Sequence, residues 1–136
     1  MDYLLDTSIV RPLFENHERV IRRFAQSILG DRLYTSVITE GELLFGAARL
    51  TGARREVLAK QVSEFIASLF GVVVVTRGVA ATYARIRGEM EATGQLIPAN
   101  DLWIASVAVE RDYILVAHDR HFGQVKGLRV EDWLEP

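Results

Sequence analysis

Four acidic residues stand where a parallel α/β sheet would bring them together. Asp6 and Asp119 each follow a short apolar stretch, and Glu42 and Asp101 each fall in the first turn of a predicted helix. Carboxylates about 6 Å apart repel by roughly 3 kcal/mol per pair at an effective dielectric near 20. A cluster of four therefore needs shared protons or a bound cation. The acids together predict a metal site.

The other residue types indicate which metal this would be. The chain has no cysteine, so thiolate zinc sites and cysteine nucleophiles are excluded. His118 and His121 lack a third partner nearby, which favours two surface turn residues over a zinc site. Oxygen ligands alone favour Mg²⁺, with Mn²⁺ able to replace it, and such ions activate water against phosphodiesters.

Three polar residues beside the acids are candidates for orienting the ligands or the water. They are the hydroxyls of Thr7 and Ser8, which follow Asp6 directly, and the amide of Asn100, which precedes Asp101. Hydroxyls that directly follow a strand are more often turn-makers. We therefore expect these three side chains to orient the acids or the water without binding the metal directly.

Each acid also has a purely structural interpretation. Glu42 would close a capping box at the start of its helix, and Asp101, or Asn100 before it, would cap another helix. Asp6 and Asp119 would be turn residues that accept backbone hydrogen bonds as the chain leaves a strand. The metal site depends on all four acids converging, and hence on the elements that position them.

Short apolar runs alternate with longer stretches of helical periodicity along the chain. The predicted strands are 3–5, 33–38, 72–75 (fully buried), 114–117 and an edge strand at 128–130. The predicted helices are 12–29 with Asn16 as a cap, 39–50, 54–70, 79–94 and 98–109, the last apolar nearly all round. Strands without alternation, each followed by a helix, indicate a parallel sheet covered on both faces.

The fold class expected is therefore α/β, a three-layer α/β/α domain with a central parallel sheet. The 136 residues fit a single domain, 1–136, and 49% hydrophobic with 25% charged residues is a globular composition. The longest apolar run, 69–75, is far too short to span a membrane, and no signal-peptide pattern begins the chain. We expect a cytoplasmic protein. In such sheets, ligands bind beyond the carboxyl ends of the strands.

Four segments, in chain order, resemble the motifs of PIN-domain ribonucleases. They are Tyr-Leu-Leu-Asp-Thr-Ser (3–8), Ser-Val-Ile-Thr-Glu-Gly-Glu-Leu-Leu-Phe-Gly-Ala (36–47), Pro-Ala-Asn-Asp-Leu-Trp-Ile-Ala (98–105) and Leu-Val-Ala-His-Asp-Arg-His-Phe (115–122). Gly127-Leu128 and Trp133 resemble the usual tail. The chain length is similar to that of the VapC branch, the toxins of type II toxin–antitoxin pairs. One departure is Ala117, where the family commonly has Thr or Ser.

The resemblance implies a Mg²⁺-dependent endoribonuclease acting on structured RNA such as tRNA or rRNA. It also implies a homodimer and a cognate VapB-like antitoxin that closes the acidic groove. In this hypothesis Asp6, Glu42, Asp101 and Asp119 are both the catalytic residues and the metal ligands. A metal-activated water then leaves 5′-phosphate and 3′-hydroxyl ends.

Two other functions are compatible with the same fold. The main alternative is a non-catalytic protein-binding module. The presence of all four acids is evidence against it, because a module without catalysis would not need them. A flap-type DNA nuclease is less favoured, because the short chain lacks room for the helical arch that threads a strand. A net charge of −2 gives no basic field that would indicate nucleic-acid binding.

Overall fold

The centre of the molecule is a parallel five-stranded sheet. A computed structural model describes residues 1–136. The strands are β1 (Asp2–Leu5), β2 (Arg32–Ser36), β3 (Gly71–Val73), β4 (Ile114–Val116) and β5 (Val130–Glu131). The helices are α1 (Thr7–Phe14), α2 (Glu18–Gly30), α3 (Val37–Ala48), α4 (Gly52–Ser68), α5 (Arg77–Ala92) and α6 (Ala99–Arg111), with a 3₁₀ helix at Arg120–Gln124. The strand order is β3-β2-β1-β4-β5, and every pairing is parallel.

Alternate residues of the central strands point into two separate cores. Leu4 and Leu115 belong to a core that also contains residues of α5 and α6. Tyr3, Leu5 and Val116 belong to the opposite core, with residues of α1, α3 and α4. The sheet is therefore covered on both faces, which confirms the predicted α/β class with a central parallel sheet.

Helix α6 is the most deeply buried helix, as its sequence predicts. Leu102 and Ile104 through Ala108 are all buried, so the helix is enclosed nearly all round. It packs against α5, under the sheet. Its first turn, which carries Asp101, is thereby held in place relative to β1 and β4.

The predicted helix at 12–29 is wrong, because two helices occupy this part of the chain. Helix α1 already begins at Thr7 and ends at Phe14, and α2 begins at Glu18. Asn16 lies between them with a φ of 60°, so it is a left-handed turn residue and not the cap, which is His17. Asn adopts this conformation more readily than most residues, and periodicity alone does not reveal it.

The predicted buried strand at 72–75 is also wrong in its extent and burial. Strand β3 forms an edge of the sheet, and Val74 and Val75 beyond it are 56% and 38% exposed. An apolar run predicts a strand but not its place in the sheet. Strand β5, at the other edge, confirms the predicted edge strand near 130. No helix combines the length and apolar character needed to cross a bilayer.

Candidate functional site

The four predicted acids lie near one another at the carboxyl edge of the sheet. Asp6 follows β1 directly, and Asp119 comes three residues after the neighbouring strand β4. Glu42 lies in the second turn of α3, which continues from β2, and Asp101 lies in the first turn of α6. Burial is the main cause of the raised pKa values of Asp6 and Asp101; the charges of Asp101 and Glu42 add to the rise for Asp6, and those of Asp119 and Glu42 add to it for Asp101. Each acid thus interacts with at least one other.

Asp6 is the most buried of the four, with 4% of its surface exposed. Its Oδ2 accepts hydrogen bonds from the backbone N–H of Ser8 (3.1 Å) and from the Ser8 hydroxyl (2.6 Å), and this caps α1. Its Oδ1 accepts no hydrogen bond from the protein. Burial, with a smaller contribution from Asp101 and Glu42, raises the pKa of Asp6 to about 6, although the Ser8 hydrogen bonds oppose the shift.

Glu42 does not cap its helix, so the capping-box interpretation is wrong. The start of α3 is capped by Ser36, whose Oγ accepts a hydrogen bond from the Thr39 backbone N–H at 3.1 Å. The Glu42 Oε1 atom instead accepts a 2.9 Å hydrogen bond from the Thr7 hydroxyl. Glu42 therefore turns toward the start of α1, next to Asp6.

Asp101, Asp119 and His121 form the other half of the cluster. The His121 Nδ1 atom lies 3.0 Å from Asp119 Oδ1 and 3.3 Å from Asp101 Oδ2, and the three potential ligand atoms all lie within 4.8 Å of one another. Burial first, then Asp119 and Glu42, raise the pKa of Asp101, whereas His121 opposes the shift. The helix cap of α6 is Pro98, so neither Asp101 nor Asn100 caps it.

His121 is the site residue that the sequence analysis did not predict. Asp119 Oδ1 accepts a 2.9 Å hydrogen bond from the His121 backbone N–H, which folds the chain back so that the ring reaches the carboxylates. The only feature of the sequence that indicates this role is that His121 lies two residues after Asp119. His118, its apparent partner in sequence, instead contacts Asp132 through Nδ1 at 2.7 Å.

The three predicted supporting residues have different positions. Thr7 contacts Glu42, and the Ser8 hydroxyl both donates to Asp6 and accepts a 2.9 Å hydrogen bond from the His118 backbone N–H. Ser8 thereby connects the ends of β1 and β4. Asn100 is exposed, and its amide forms no hydrogen bond within the protein.

The donor set fits a hard divalent cation. Carboxylate oxygens are the preferred ligands of Mg²⁺, and the site offers four carboxylates. One oxygen of Asp6, Oδ1, accepts no hydrogen bond from the protein and so is available as a ligand. A cation bound among the four carboxylates would offset their mutual repulsion.

Arginines without carboxylate partners lie on either side of the acids. Arg11 and Arg49 line a groove that begins at Glu42, between α1, α3 and α4. Arg120 follows Asp119 and lines a second groove with His118 and Asp132. None of these arginines forms an ion pair within the chain, so their guanidinium groups are free to contact an anion.

Comparison with known proteins identifies the family. The PIN domain family model matches residues 3–128. Ribonuclease VapC1 of Haemophilus influenzae is 30% identical over 98% of both chains, and so is the tRNA(fMet)-specific endonuclease VapC of Salmonella typhimurium. The crystal structure of VapBC2 from Rickettsia felis bound to a DNA fragment from their promoter matches with a TM-score of 0.90 at 25% identity, over 98% of this chain and 99% of that chain. By sequence and by fold, the chain belongs to the PIN-domain family, in its VapC branch.

Proposed function

We propose that this chain is a Mg²⁺-dependent endoribonuclease toxin that cleaves structured RNA such as tRNA or rRNA. The observation that carries the proposal is the convergence of Asp6, Glu42, Asp101 and Asp119 at one edge of the sheet. The relative named as a tRNA(fMet)-specific endonuclease favours tRNA as the substrate class. We place this activity in the cytoplasm, where these RNAs are found.

The four carboxylates would hold the ion, and Mn²⁺ would be accepted in its place. A bound divalent cation supplies Lewis-acid chemistry: it favours the deprotonation of water and offsets charge on the phosphate. The chain orients the ligands for this task. Ser8 occupies one oxygen of Asp6 and leaves the other free, and Thr7 fixes Glu42.

The unpaired arginines explain how a polyanion would approach an acidic site. Arg11 and Arg49 on one side of Glu42, and Arg120 beside Asp119, would contact the RNA backbone on either side of the scissile phosphate. Such contacts weaken as salt rises, because each releases condensed counterions from the RNA.

The reaction proposed is hydrolysis by water. The oxygen of water bonds to phosphorus, the bond from phosphorus to the 3′ oxygen breaks, and that oxygen takes up a proton. The products are a 5′-phosphate and a 3′-hydroxyl. Attack by the ribose 2′-hydroxyl would instead give a 2′,3′-cyclic phosphate.

We further propose a VapB-like antitoxin partner and a homodimer. The solved structure from Rickettsia felis is a VapBC complex. In this chain, α3 and α4 expose Leu44, Phe45 and Val57, which are apolar side chains suited to being covered by a partner. A homodimer would have twice the mass of a single chain in light scattering.

The test is cleavage of purified tRNA and rRNA by the chain and by two variants. The Asp101→Asn variant should cleave at least about a hundredfold more slowly than the wild type, because a catalytic metal stabilises the transition state by several kcal/mol. The Asp112→Asn variant alters an exposed carboxylate at the opposite end of α6 from Asp101 and should retain full activity. EDTA should stop cleavage, and Mg²⁺ or Mn²⁺ should restore it.

Two results would contradict the proposal. Cyclic phosphate ends would exclude attack by water. A folded chain that cuts neither RNA with either metal would favour the non-catalytic protein-binding module.

A further inference from the structure

The acidic cluster includes one imidazole, His121, to which the proposed function gives no role. His121 Nδ1 faces both Asp119 Oδ1, at 3.0 Å, and Asp101 Oδ2, at 3.3 Å. The ring does not project freely into solvent, although about half of the side chain is exposed. Its nitrogen is directed at the two carboxylates that are the proposed metal ligands.

The backbone holds the ring in this position. Asp119 caps the 3₁₀ helix Arg120–Gln124 by accepting from the His121 N–H. The next residue, Phe122, is fully buried in the core under α6. His121 is therefore fixed between a cap on one side and a core anchor on the other.

The spacing of the donor atoms matches one coordination sphere. Two adjacent ligands of an octahedral ion, each about 2.1 Å from it, lie about 3 Å apart. The His121 nitrogen has this separation from both carboxylate oxygens. Asp6 lies close enough to Asp101 for the two charges to interact, and its Oδ1, which accepts no hydrogen bond from the protein, offers a further oxygen to the same ion.

We propose that His121 binds the divalent cation through Nδ1, together with Asp101 and Asp119. This inference rests on the proposed function and concerns its metal. A nitrogen ligand favours first-row transition ions over Mg²⁺, which prefers oxygen and retains its water. The site therefore binds Mn²⁺ more tightly than Mg²⁺, and His121 is the cause of the difference.

One other arrangement has the same distances. A protonated His121 would form an ion pair with Asp101 and Asp119 and would never contact the metal. The two arrangements differ in one observable, which is whether a nitrogen atom is bonded to the ion.

The experiment uses the full chain loaded with Mn²⁺ and measures nitrogen hyperfine coupling to the ion by pulsed electron paramagnetic resonance. His121→Gln is the test variant. His118→Gln is the matched control, because His118 contacts Asp132 through the same ring atom. We expect nitrogen coupling in the wild type and in His118→Gln, and none in His121→Gln.

Calorimetry with the metal alone gives a second readout. His121→Gln should weaken Mn²⁺ binding by about 10-fold or more and Mg²⁺ binding far less. Circular dichroism establishes that each variant is folded. Equal losses for the two ions would overturn the inference, and so would nitrogen coupling that is absent from the wild type or persists in His121→Gln.

Failure of this inference is distinguishable from failure of the proposed function. Cleavage that needs metal and Asp101, with no nitrogen coupled to Mn²⁺, overturns only the role of His121. Cleavage that continues in EDTA, with no metal bound to the wild type, overturns both.

Discussion

Asp6 shows how a single buried carboxylate connects stability with function. Its pKa is raised to about 6, chiefly by burial, whereas an aspartate in an unfolded chain titrates near 3.9. Between these two values the folded protein binds a proton that the unfolded chain has lost. Stability therefore falls as the pH rises from about 4 to about 6, and levels off above that.

Replacing Asp6 with Asn should remove this penalty and keep the cap. An Asn oxygen still accepts the hydrogen bonds from Ser8. The gain in the free energy of unfolding should be small near pH 4 and should reach about 3 kcal/mol at pH 8, since the shift is about two pKa units. Urea denaturation in EDTA across this range measures it.

The control for this prediction is Asp112→Asn, because the Asp112 side chain is almost fully exposed. Its effect should be small at every pH. A difference between Asp6→Asn and the wild type that does not vary with pH would show that Asp6 carries no buried charge.

The sequence predicts that the four acids belong to the candidate site, but it does not predict that His121 lies beside them. Asp6, Glu42, Asp101 and Asp119 were identifiable because each follows a strand or opens a helix at the carboxyl edge. His121 was not, because its role depends on the turn that Asp119 caps and on burial of Phe122 behind it. Both are tertiary features, which the spacing of residues does not encode.

Among the elements, helix α3 carries one residue with a structural role, its cap Ser36, and one with a proposed functional role, Glu42. Ser36 is fully buried and caps the helix, whereas Glu42 contacts Thr7. The capping-box spacing of Thr39 and Glu42 made a capping role the structural alternative to the predicted metal-binding role of Glu42. The observed cap is Ser36, which lies three residues before Thr39, at the end of β2.

Two substitutions should therefore have opposite effects. Ser36→Ala should lower the free energy of unfolding by about 1 kcal/mol through loss of the cap, and should leave the acids in place. Glu42→Gln should leave stability nearly unchanged in EDTA and weaken metal binding. Denaturant unfolding and metal calorimetry on both variants measure the two effects. A large loss of stability in Glu42→Gln would restore the capping interpretation.

The two elements that the sequence mispredicts fail for physical reasons. The break at Asn16 depends on a positive φ, and the apolar periodicity of the helices continues on either side of it. The exposure of Val74 and Val75 depends on β3 lying at an edge, which is a property of strand order. Neither affects the site, because the acids lie directly after β1, on α3, on α6 and in the segment after β4.

At the scale of the molecule, the sheet brings together acids from distant parts of the chain. Strand β1 lies between β2 and β4, so Asp6 is central, and the segments that carry Glu42 and Asp119 lie on either side. A cation held by the four acids would connect segments from residue 6 to residue 119. Such a link stabilises the folded state as a whole, because the unfolded chain has no comparable site.

Metal binding should therefore raise the melting temperature of the whole protein. At a hundred times its dissociation constant, a ligand adds about 2.7 kcal/mol to the free energy of unfolding. The gain should fall to about half of this value at pH 5, because Asp6 must lose its proton to bind the ion and its pKa is about 6, so that apparent binding weakens about tenfold between pH 8 and pH 5. Calorimetric melting with Mg²⁺, Mn²⁺ or EDTA tests this. Asp101→Asn should lose the gain and Asp112→Asn should keep it; an equal gain in both variants would mean that the ion binds elsewhere.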